Sequence, residues 1–231
     1  MASIIVTIIA VIICFISFFI TYKSGYLRKV LVKFGLLEGK TAVNWTAFSW
    51  NSSLEKMNLK ADIVFFGDSI IRGGNFQDAF NHKKITNLGC SGDTLAGMVY
   101  RVNAIKTLSP SQIFILAGIN GLSDFNCNKS IHTYEKLLTA IRTSLPEAEI
   151  YVHSVLPLSI EKQRKICKNK TIEKFNGCIE KMCVQGDITY IDLYGKFIID
   201  NQMNEELTID GIHLNEKGYE LWFDELKKYI V

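Results

Sequence analysis

The 231-residue sequence contains no internal repeat, no low-complexity tract and no sign of a second domain, which predicts one sizeable domain plus an appendage. Its formal net charge is only +3, too small and too concentrated near one end to indicate a nucleic-acid partner. No cysteine spacing is typical of a zinc site, because Cys178 and Cys183 lack a second pair or a nearby histidine. We therefore expect neither a metal nor a cofactor.

Charge is absent from residues 2–20, where three hydroxyl groups interrupt an otherwise apolar run. As a helix, about 18 residues rise ~27 Å, which is enough for the hydrocarbon core of a bilayer. No basic residue precedes the run, which favours an uncleaved anchor over a cleaved signal peptide. Residues 1–22 are therefore predicted to be a transmembrane helix that anchors a single-pass membrane protein.

Four basic side chains follow this run, and residues 23–59 are interpreted as a juxtamembrane connector. By the positive-inside rule, the basic cluster favours a cytoplasmic location for the rest of the chain. A solvated helix face that binds anionic headgroups from either side of the membrane is the alternative. The basic residues are Lys23, Arg28, Lys29 and Lys33.

From residue 60 onwards, short apolar runs alternate with segments of helical spacing. Because the runs are almost continuously apolar, they predict a five-stranded parallel sheet covered on both faces by helices, an α/β fold. The predicted strands are 63–66, 85–88, 113–116, 150–155 and 188–191. The longer predicted helices begin after the N-cap Thr94, near residue 131, near residue 171 and near residue 215.

Polar clusters follow the first three predicted strands, at residues 67–69, 89–94 and 118–120. In a parallel α/β sheet, ligands bind outside the carboxyl ends of the strands, so these clusters should converge on one edge.

Within these clusters, Ser69 lies where a strand turns toward a helix, and both its hydroxyl and its backbone N–H could face a substrate. Gly92 lets a backbone N–H approach a negatively charged oxygen near a helix N-terminus. Asn120 carries a carboxamide donor at the end of the third strand. A capping serine, a tight-turn glycine and an Asx-turn asparagine are the alternatives.

Near the C-terminus, Asp210 stands three residues before His213. That spacing lets a carboxylate hold the far N–H of the imidazole and set its tautomer, as general-base action on a serine requires. A helix-entry turn with capping residues is the alternative. His82, His132 and His153 have no motif around them, and we expect them at surface or core positions.

Four ordered blocks resemble those of the SGNH, or GDSL-type, hydrolase family. The resemblance covers residues 60–231, which we assign as a catalytic domain of that type. The blocks are Phe66-Gly67-Asp68-Ser69-Ile70, Asn87-Leu88-Gly89-Cys90-Ser91-Gly92-Asp93-Thr94, Gly118-Ile119-Asn120 and Asp210-Gly211-Ile212-His213-Leu214-Asn215.

The resemblance implies a flavodoxin-like three-layer α/β/α sandwich, with Ser69 as nucleophile. It implies that His213 acts as general base and then acid, with Asp210 as its orienting partner. It further implies an oxyanion hole formed by the Ser69 N–H, the Gly92 N–H and the Asn120 side chain.

One position departs from the family pattern. Members often carry Asp directly after the asparagine of the third block, whereas Gly121 stands here and Asp124 follows. If that carboxylate normally orients the asparagine, Asn120 would be held differently. Cys90 is a second candidate nucleophile, but its place in the glycine loop suits a small buried side chain better.

The sequence therefore predicts a membrane-anchored serine esterase that works through an acyl-serine intermediate. The expected substrate is a small-molecule or glycan ester: a short-chain ester, an O-acetylated carbohydrate or a lysophospholipid. An acyltransferase with the same triad and a non-catalytic, membrane-tethered binding protein are the alternatives. Cys127, Cys167, Cys178 and Cys183 could form two disulfides, although reduced thiols are simpler.

Overall fold

The computed structural model describes residues 53–54, 56–57 and 59–230. The predicted transmembrane helix (residues 1–22) and most of the connector at 23–59 lie outside the described residues. Within the described part, no helix has both the length and the apolar character needed to cross a bilayer.

A five-stranded parallel sheet forms the centre of the domain, as predicted, with the strand order β2-β1-β3-β4-β5. This is the flavodoxin-like order, in which the chain reverses its direction of winding between β1 and β3. The strands are β1 (Ile63–Gly67), β2 (Ile85–Gly89), β3 (Gln112–Leu116), β4 (Glu149–His153) and β5 (Thr189–Ile191).

The four longer predicted helices are present, with shifted ends. Thr94 caps the first of them, because its side chain accepts a hydrogen bond from the N–H of Gly97 at 3.2 Å. The last is capped by Asn215, which accepts from the N–H of Gly218 at 3.0 Å. The helices are α1 (Ser69–Gly73), α2 (Phe76–Ala79), α3 (Leu95–Leu108), α4 (Cys127–Ser144), α5 (Ile160–Lys165), α6 (Asn169–Gln185), α7 (Tyr194–Phe197) and α8 (Glu216–Leu226).

Strand β4 ends at His153, two residues earlier than predicted. Ser154 still donates to the carbonyl of Ile191 on β5 at 3.0 Å, but the backbone groups of Val155 are satisfied by a side chain instead of a neighbouring strand. Asn176 on α6 accepts from the N–H of Val155 and donates to its carbonyl, both at 2.9 Å. A buried apolar run can therefore leave the sheet without unpaired backbone groups.

Two apolar layers cover the two faces of the sheet. On one face, Val64 and Phe66 pack in a cluster with residues of α3, α4 and α6. On the other, Phe65 stacks on Phe76 of α2, with ring centroids 3.7 Å apart, in a cluster that includes Trp222 of α8. The result is a three-layer α/β/α sandwich whose carboxyl edge remains open for a site.

The described cysteines of the predicted disulfide set are thiols, not disulfides. Burial raises the pKa of both Cys167 and Cys183 to about 12. These two thiols therefore stay protonated near neutral pH and serve as small apolar side chains.

Candidate active site

Ser69 is the first residue of α1, directly after the turn that ends β1. Asp68 caps this helix by accepting a hydrogen bond from the N–H of Ile70 at 2.9 Å. The Oγ of Ser69 lies 3.0 Å from Nε2 of His213, although 144 residues separate the two in sequence. The fold therefore brings the predicted hydroxyl and imidazole within proton-transfer distance.

Asp210 holds the other side of the imidazole. Its Oδ2 lies 3.0 Å from Nδ1 of His213, and its Oδ1 accepts from the N–H groups of His213 (2.9 Å) and Ile212 (3.0 Å). Partial burial raises the pKa of Asp210, but these hydrogen bonds outweigh that effect and hold the pKa well below its usual range. The carboxylate is thus ionised, so Nδ1 must carry the proton and Nε2 presents its lone pair to Ser69.

Three contacts hold helix α1, which begins at Ser69, against the sheet. A side chain at Gly89 would place its Cβ 2.2 Å from the backbone nitrogen of Arg72, so only glycine allows this approach. Asn87 donates to the carbonyls of Ile71 (2.8 Å) and Gly74 (3.0 Å). From the opposite side, the hydroxyl of Tyr219 donates to the carbonyl of Ile70 at 2.8 Å.

The three predicted oxyanion donors lie on the three loops that follow β1, β2 and β3. The N–H of Ser69 is in the first helical turn, where backbone donors have no acceptor within the helix. Gly92 has a φ of +73°, a conformation that glycine adopts without strain. Nδ2 of Asn120 is buried and has no hydrogen-bond partner among the described residues, as a donor that awaits a substrate oxygen would be.

Gly121 stands where family members often carry Asp, and side chains elsewhere hold this loop instead. Asp124 does not replace the missing family carboxylate, because its Oδ1 accepts from the N–H of Lys168 (3.0 Å) and the hydroxyl of Thr171 (2.5 Å) at the start of α6. Asn126 instead braces the loop, donating to the carbonyl of Gly121 at 2.6 Å. The segment that follows Asn120, residues 121–126, is therefore held by groups outside the family motif.

A buried ion pair lies beneath the loops that carry Ser69 and Gly92. Nη2 of Arg101 is 2.6 Å from Oδ2 of Asp93, and both side chains are almost fully buried. The guanidinium also donates to the carbonyls of Leu88 (3.1 Å) and Gly67 (3.3 Å), at the ends of β2 and β1. Burial raises the pKa of Asp93, although Arg101 opposes the shift. This pair ties together the strand ends from which Ser69 and Gly92 extend.

Asp68, next to Ser69, is completely buried. Its Oδ2 has no hydrogen-bond partner among the described residues. Burial raises its pKa to about 7, and the nearby charge of Asp93 adds to the shift, against the hydrogen bond from Ile70. The structure therefore places a titratable carboxyl directly before the serine.

Lys162 of α5 is a neighbour of the site that the sequence analysis missed. Its Nζ lies 3.6 Å from Oδ2 of Asp210, the oxygen that also faces the imidazole of His213. No motif surrounds this lysine, and 48 residues separate it from its partner, so only the fold reveals the contact. The contacts of Arg101 are likewise revealed only by the fold. Its one signal in the sequence is a charge within an otherwise apolar helix face.

The remaining histidines differ from His213 in their surroundings. His132 does have a carboxylate three residues away, but its pair with Glu135 (3.3 Å) lies exposed on α4. His153 is buried; its Nδ1 lies 3.0 Å from the carbonyl of Ile115, and Nε2 accepts from the indole of Trp222. Burial lowers the pKa of His153 to about 4, so it remains a neutral core residue.

A hydroxyl, an imidazole and a carboxylate in series at the carboxyl edge of a doubly wound sheet form the arrangement that serine hydrolases use. Residues 65–221 match the GDSL-like Lipase/Acylhydrolase family, and the chain belongs to that family. Residues 65–221 therefore form a GDSL-like lipase/acylhydrolase domain.

Solved structures share the fold at low sequence identity. A GDSL-like lipase from Bacteroides thetaiotaomicron has a TM-score of 0.67 and 22% identity, with 79% of this chain and 94% of that chain covered. An acetyl xylan esterase has a TM-score of 0.63 and 16% identity, with 73% and 99% covered.

Similarity in sequence extends to a protein of another name. The N-acylneuraminate cytidylyltransferase of Streptococcus agalactiae serotype V is 24% identical over 178 residues, which cover 74% of this chain. The matched region is 40% of that relative, so this chain spans less than half of its length.

Proposed function

We propose that this protein is a membrane-anchored serine esterase that hydrolyses an acyl ester through a covalent acyl-Ser69 intermediate. One observation carries the proposal: two contacts of 3.0 Å connect Ser69 to His213 and His213 to Asp210 without a break. An ionised carboxylate, an imidazole with its proton on Nδ1 and a hydroxyl facing Nε2 are the state from which a serine attacks.

In the first half of the reaction, Oγ of Ser69 attacks the ester carbonyl and its proton passes to Nε2 of His213. The carbonyl oxygen becomes an oxyanion, which the N–H groups of Ser69 and Gly92 and the Asn120 amide would stabilise. Collapse of this intermediate breaks the bond to the alcohol. Nε2 of His213 returns the proton to the departing alkoxide, which leaves the acyl group on Ser69.

In the second half, a water molecule takes the place of the alcohol. Nε2 of His213 removes a proton from the water as the water attacks the acyl carbon, and a second oxyanion forms. The bond to Ser69 then breaks, and His213 returns the proton to Oγ. Asp210 remains ionised throughout and stabilises the imidazolium in both halves.

The open surroundings of the base favour a bulky leaving group. The side chains of His213 and Asp210 are 43% and 38% exposed, so the alcohol would depart into solvent rather than into a tunnel. We therefore place an O-acetylated carbohydrate first, ahead of simple short-chain esters and lysophospholipids. A structural neighbour is an acetyl xylan esterase, and a relative is named for an N-acylneuraminate, which supports a sugar substrate.

Membrane anchoring by residues 1–22 is the second part of the proposal. Its support is the uncharged run of residues 2–20, with the basic residues that follow it. Protease accessibility in sealed vesicles, compared with detergent-opened ones, would show whether the chain is anchored and on which side the domain lies.

Replacing the nucleophile or the base tests the enzyme assignment. Ser69→Ala and His213→Ala should each lower kcat by roughly 10⁴-fold or more, with unchanged circular dichroism. His132→Ala is the matched control, because it removes an exposed imidazole that also pairs with a carboxylate three residues away. Wild-type turnover in either active-site variant would overturn the assignment.

Product analysis separates the two alternatives to hydrolysis. With excess sugar or alcohol acceptor, an acyltransferase would form a new ester instead of the free acid. A binding protein that kept only the pocket would leave Ser69 unlabelled by a fluorophosphonate probe, whereas the proposed esterase should be labelled there.

A further inference from the structure

Large apolar side chains project into solvent around the candidate active site. Phe125, in the loop that carries Asn120, is 101% exposed. Ile209, which directly precedes Asp210, is 74% exposed, and Ile160 at the start of α5 is 45% exposed. Single exposed apolar residues are common, so their meaning depends on whether they share one surface and on what surrounds them.

Hydrogen bonds show that these loops form a continuous rim. The carboxylate of Asp124 accepts from the N–H of Lys168, which joins the Phe125 loop to the start of α6. Asn169 pairs with Leu158 through two hydrogen bonds, of 2.8 and 3.1 Å, which joins α6 to the segment before α5.

The segment before α5 then meets the histidine loop. The N–H of Ser159 donates to the carbonyl of Gly211 at 3.1 Å, and Lys162 pairs with Asp210. We call this set of segments, residues 121–126, 158–174 and 209–211, the active-site rim.

Positive charge is concentrated on the same rim. Residues 160–174 contain six basic and two acidic side chains, whereas the remainder of residues 60–231 has an excess of acidic ones. Lys168, Lys170 and Lys174 are exposed and line an open depression of about 600 Å³, together with Thr171 and two acidic side chains, Asp124 and Glu173. The domain therefore carries its basic charge beside its most exposed aromatic ring.

Separate protruding apolar side chains among lysines differ from a protein-binding patch, which has a contiguous apolar centre. They fit a lipid interface, where apolar tips enter the headgroup region and lysines attract anionic lipids. We propose that the active-site rim docks on the surface of an anionic bilayer, with Phe125 inserted and Lys168, Lys170 and Lys174 over the headgroups. The esterase function would explain why docking is useful, but docking itself requires no catalytic step.

Docking can be measured on the full chain in liposomes, with and without phosphatidylglycerol, by lysine acetylation and mass spectrometry. With the anionic lipid, acetylation of Lys168, Lys170 and Lys174 should fall several-fold. Lys84 and Lys106, near the amino ends of β2 and β3 on the opposite edge, should be labelled equally in both and serve as internal controls. The protection should disappear in about 1 M salt, where the Debye length is about 3 Å.

A pair of variants tests the contribution of the exposed apolar side chain, and both variants keep every lysine whose acetylation is measured. Phe125→Ser should weaken the protection, whereas Val184→Ser, which removes an exposed side chain (79%) at the far end of α6, should not. Turnover of a soluble ester should be the same in both variants, so a failure of docking would be distinct from a failure of the esterase proposal. Protection that is equal with both lipids, or that the two variants affect alike, would overturn the proposal.

Discussion

Replacing Asp68 with asparagine should change how the stability of the protein depends on pH. Burial raises the pKa of Asp68 from an ordinary value of 3.8 to about 7 in the folded chain. Asparagine keeps the acceptor that caps α1 through the N–H of Ile70 but cannot ionise. The variant therefore isolates the cost of ionising this carboxyl inside the protein.

The sign and size of the effect follow from proton linkage. Between about pH 4 and pH 7, the folded chain retains a proton on Asp68 that the unfolded chain has released, so stability falls as the pH rises. A pKa difference of about 3 corresponds to about 4 kcal/mol, lost by pH 8. The Asp68→Asn variant lacks this loss. The difference in free energy of unfolding, variant minus wild type, should therefore increase by about 4 kcal/mol between pH 4 and pH 8.

The assay is urea denaturation of both proteins at several values of pH, with the difference between them as the readout. Taking the difference removes the opposite contribution of His153, whose lowered pKa of about 4 adds stability as the pH rises toward 6.5. Asp200→Asn, at an exposed turn, controls for the loss of one carboxyl. Parallel profiles for the wild type and Asp68→Asn would show that Asp68 ionises normally in the fold and would refute the reasoning.

Three further predictions concern the residues around the site. Asn120→Ala should lower kcat by roughly 10²–10³-fold with little change in KM, and a loss of less than a few-fold would contradict its role as an oxyanion donor. Gly211→Ala should lower both kcat and stability, the latter by about 1–3 kcal/mol, because φ is +86° there and the new Cβ would lie 2.2 Å from Oγ of Ser159; an unchanged melting temperature would contradict this. Arg101→Met should cost about 3–5 kcal/mol in urea denaturation by leaving Asp93 buried and unpaired, and Asp93→Asn in the same chain should recover much of it; equal stability of the single and double variants would contradict this.

The long elements of the fold were predictable because their signals are local. Thr94 caps a helix by its own hydroxyl, and the apolar runs of β1 and β3 are buried on both faces, so neighbouring residues contain the information. A helix after Ser69 was expected, and α1 begins there. The short helices α2, α5 and α7 were not predicted, because four to six residues are too few to show a period. The end of β4 depends on Asn176, a side chain more than twenty residues away.

The candidate site likewise has contacts that the sequence predicted and contacts that it did not. The motifs predicted that Ser69, Asp210 and His213 would meet, since each block places its side chain at an edge that the sheet topology defines. The contact between Lys162 and Asp210 was not predicted, because it depends on the path of the segment between β4 and α6. The true partners of Asp124 were also missed, since a carboxylate close to Asn120 in sequence caps a different element in space.

The central claim is that Ser69 carries the acyl group during turnover, and chemical quenching tests it most directly. The full chain is mixed with p-nitrophenyl acetate, quenched in acid within the first turnovers, digested and analysed by mass spectrometry. The account predicts one acetyl group on the peptide that contains Ser69, absent from Ser69→Ala and diminished in His213→Ala. Acetylation of Cys90 instead, or continued turnover with no acetylated serine, would contradict it.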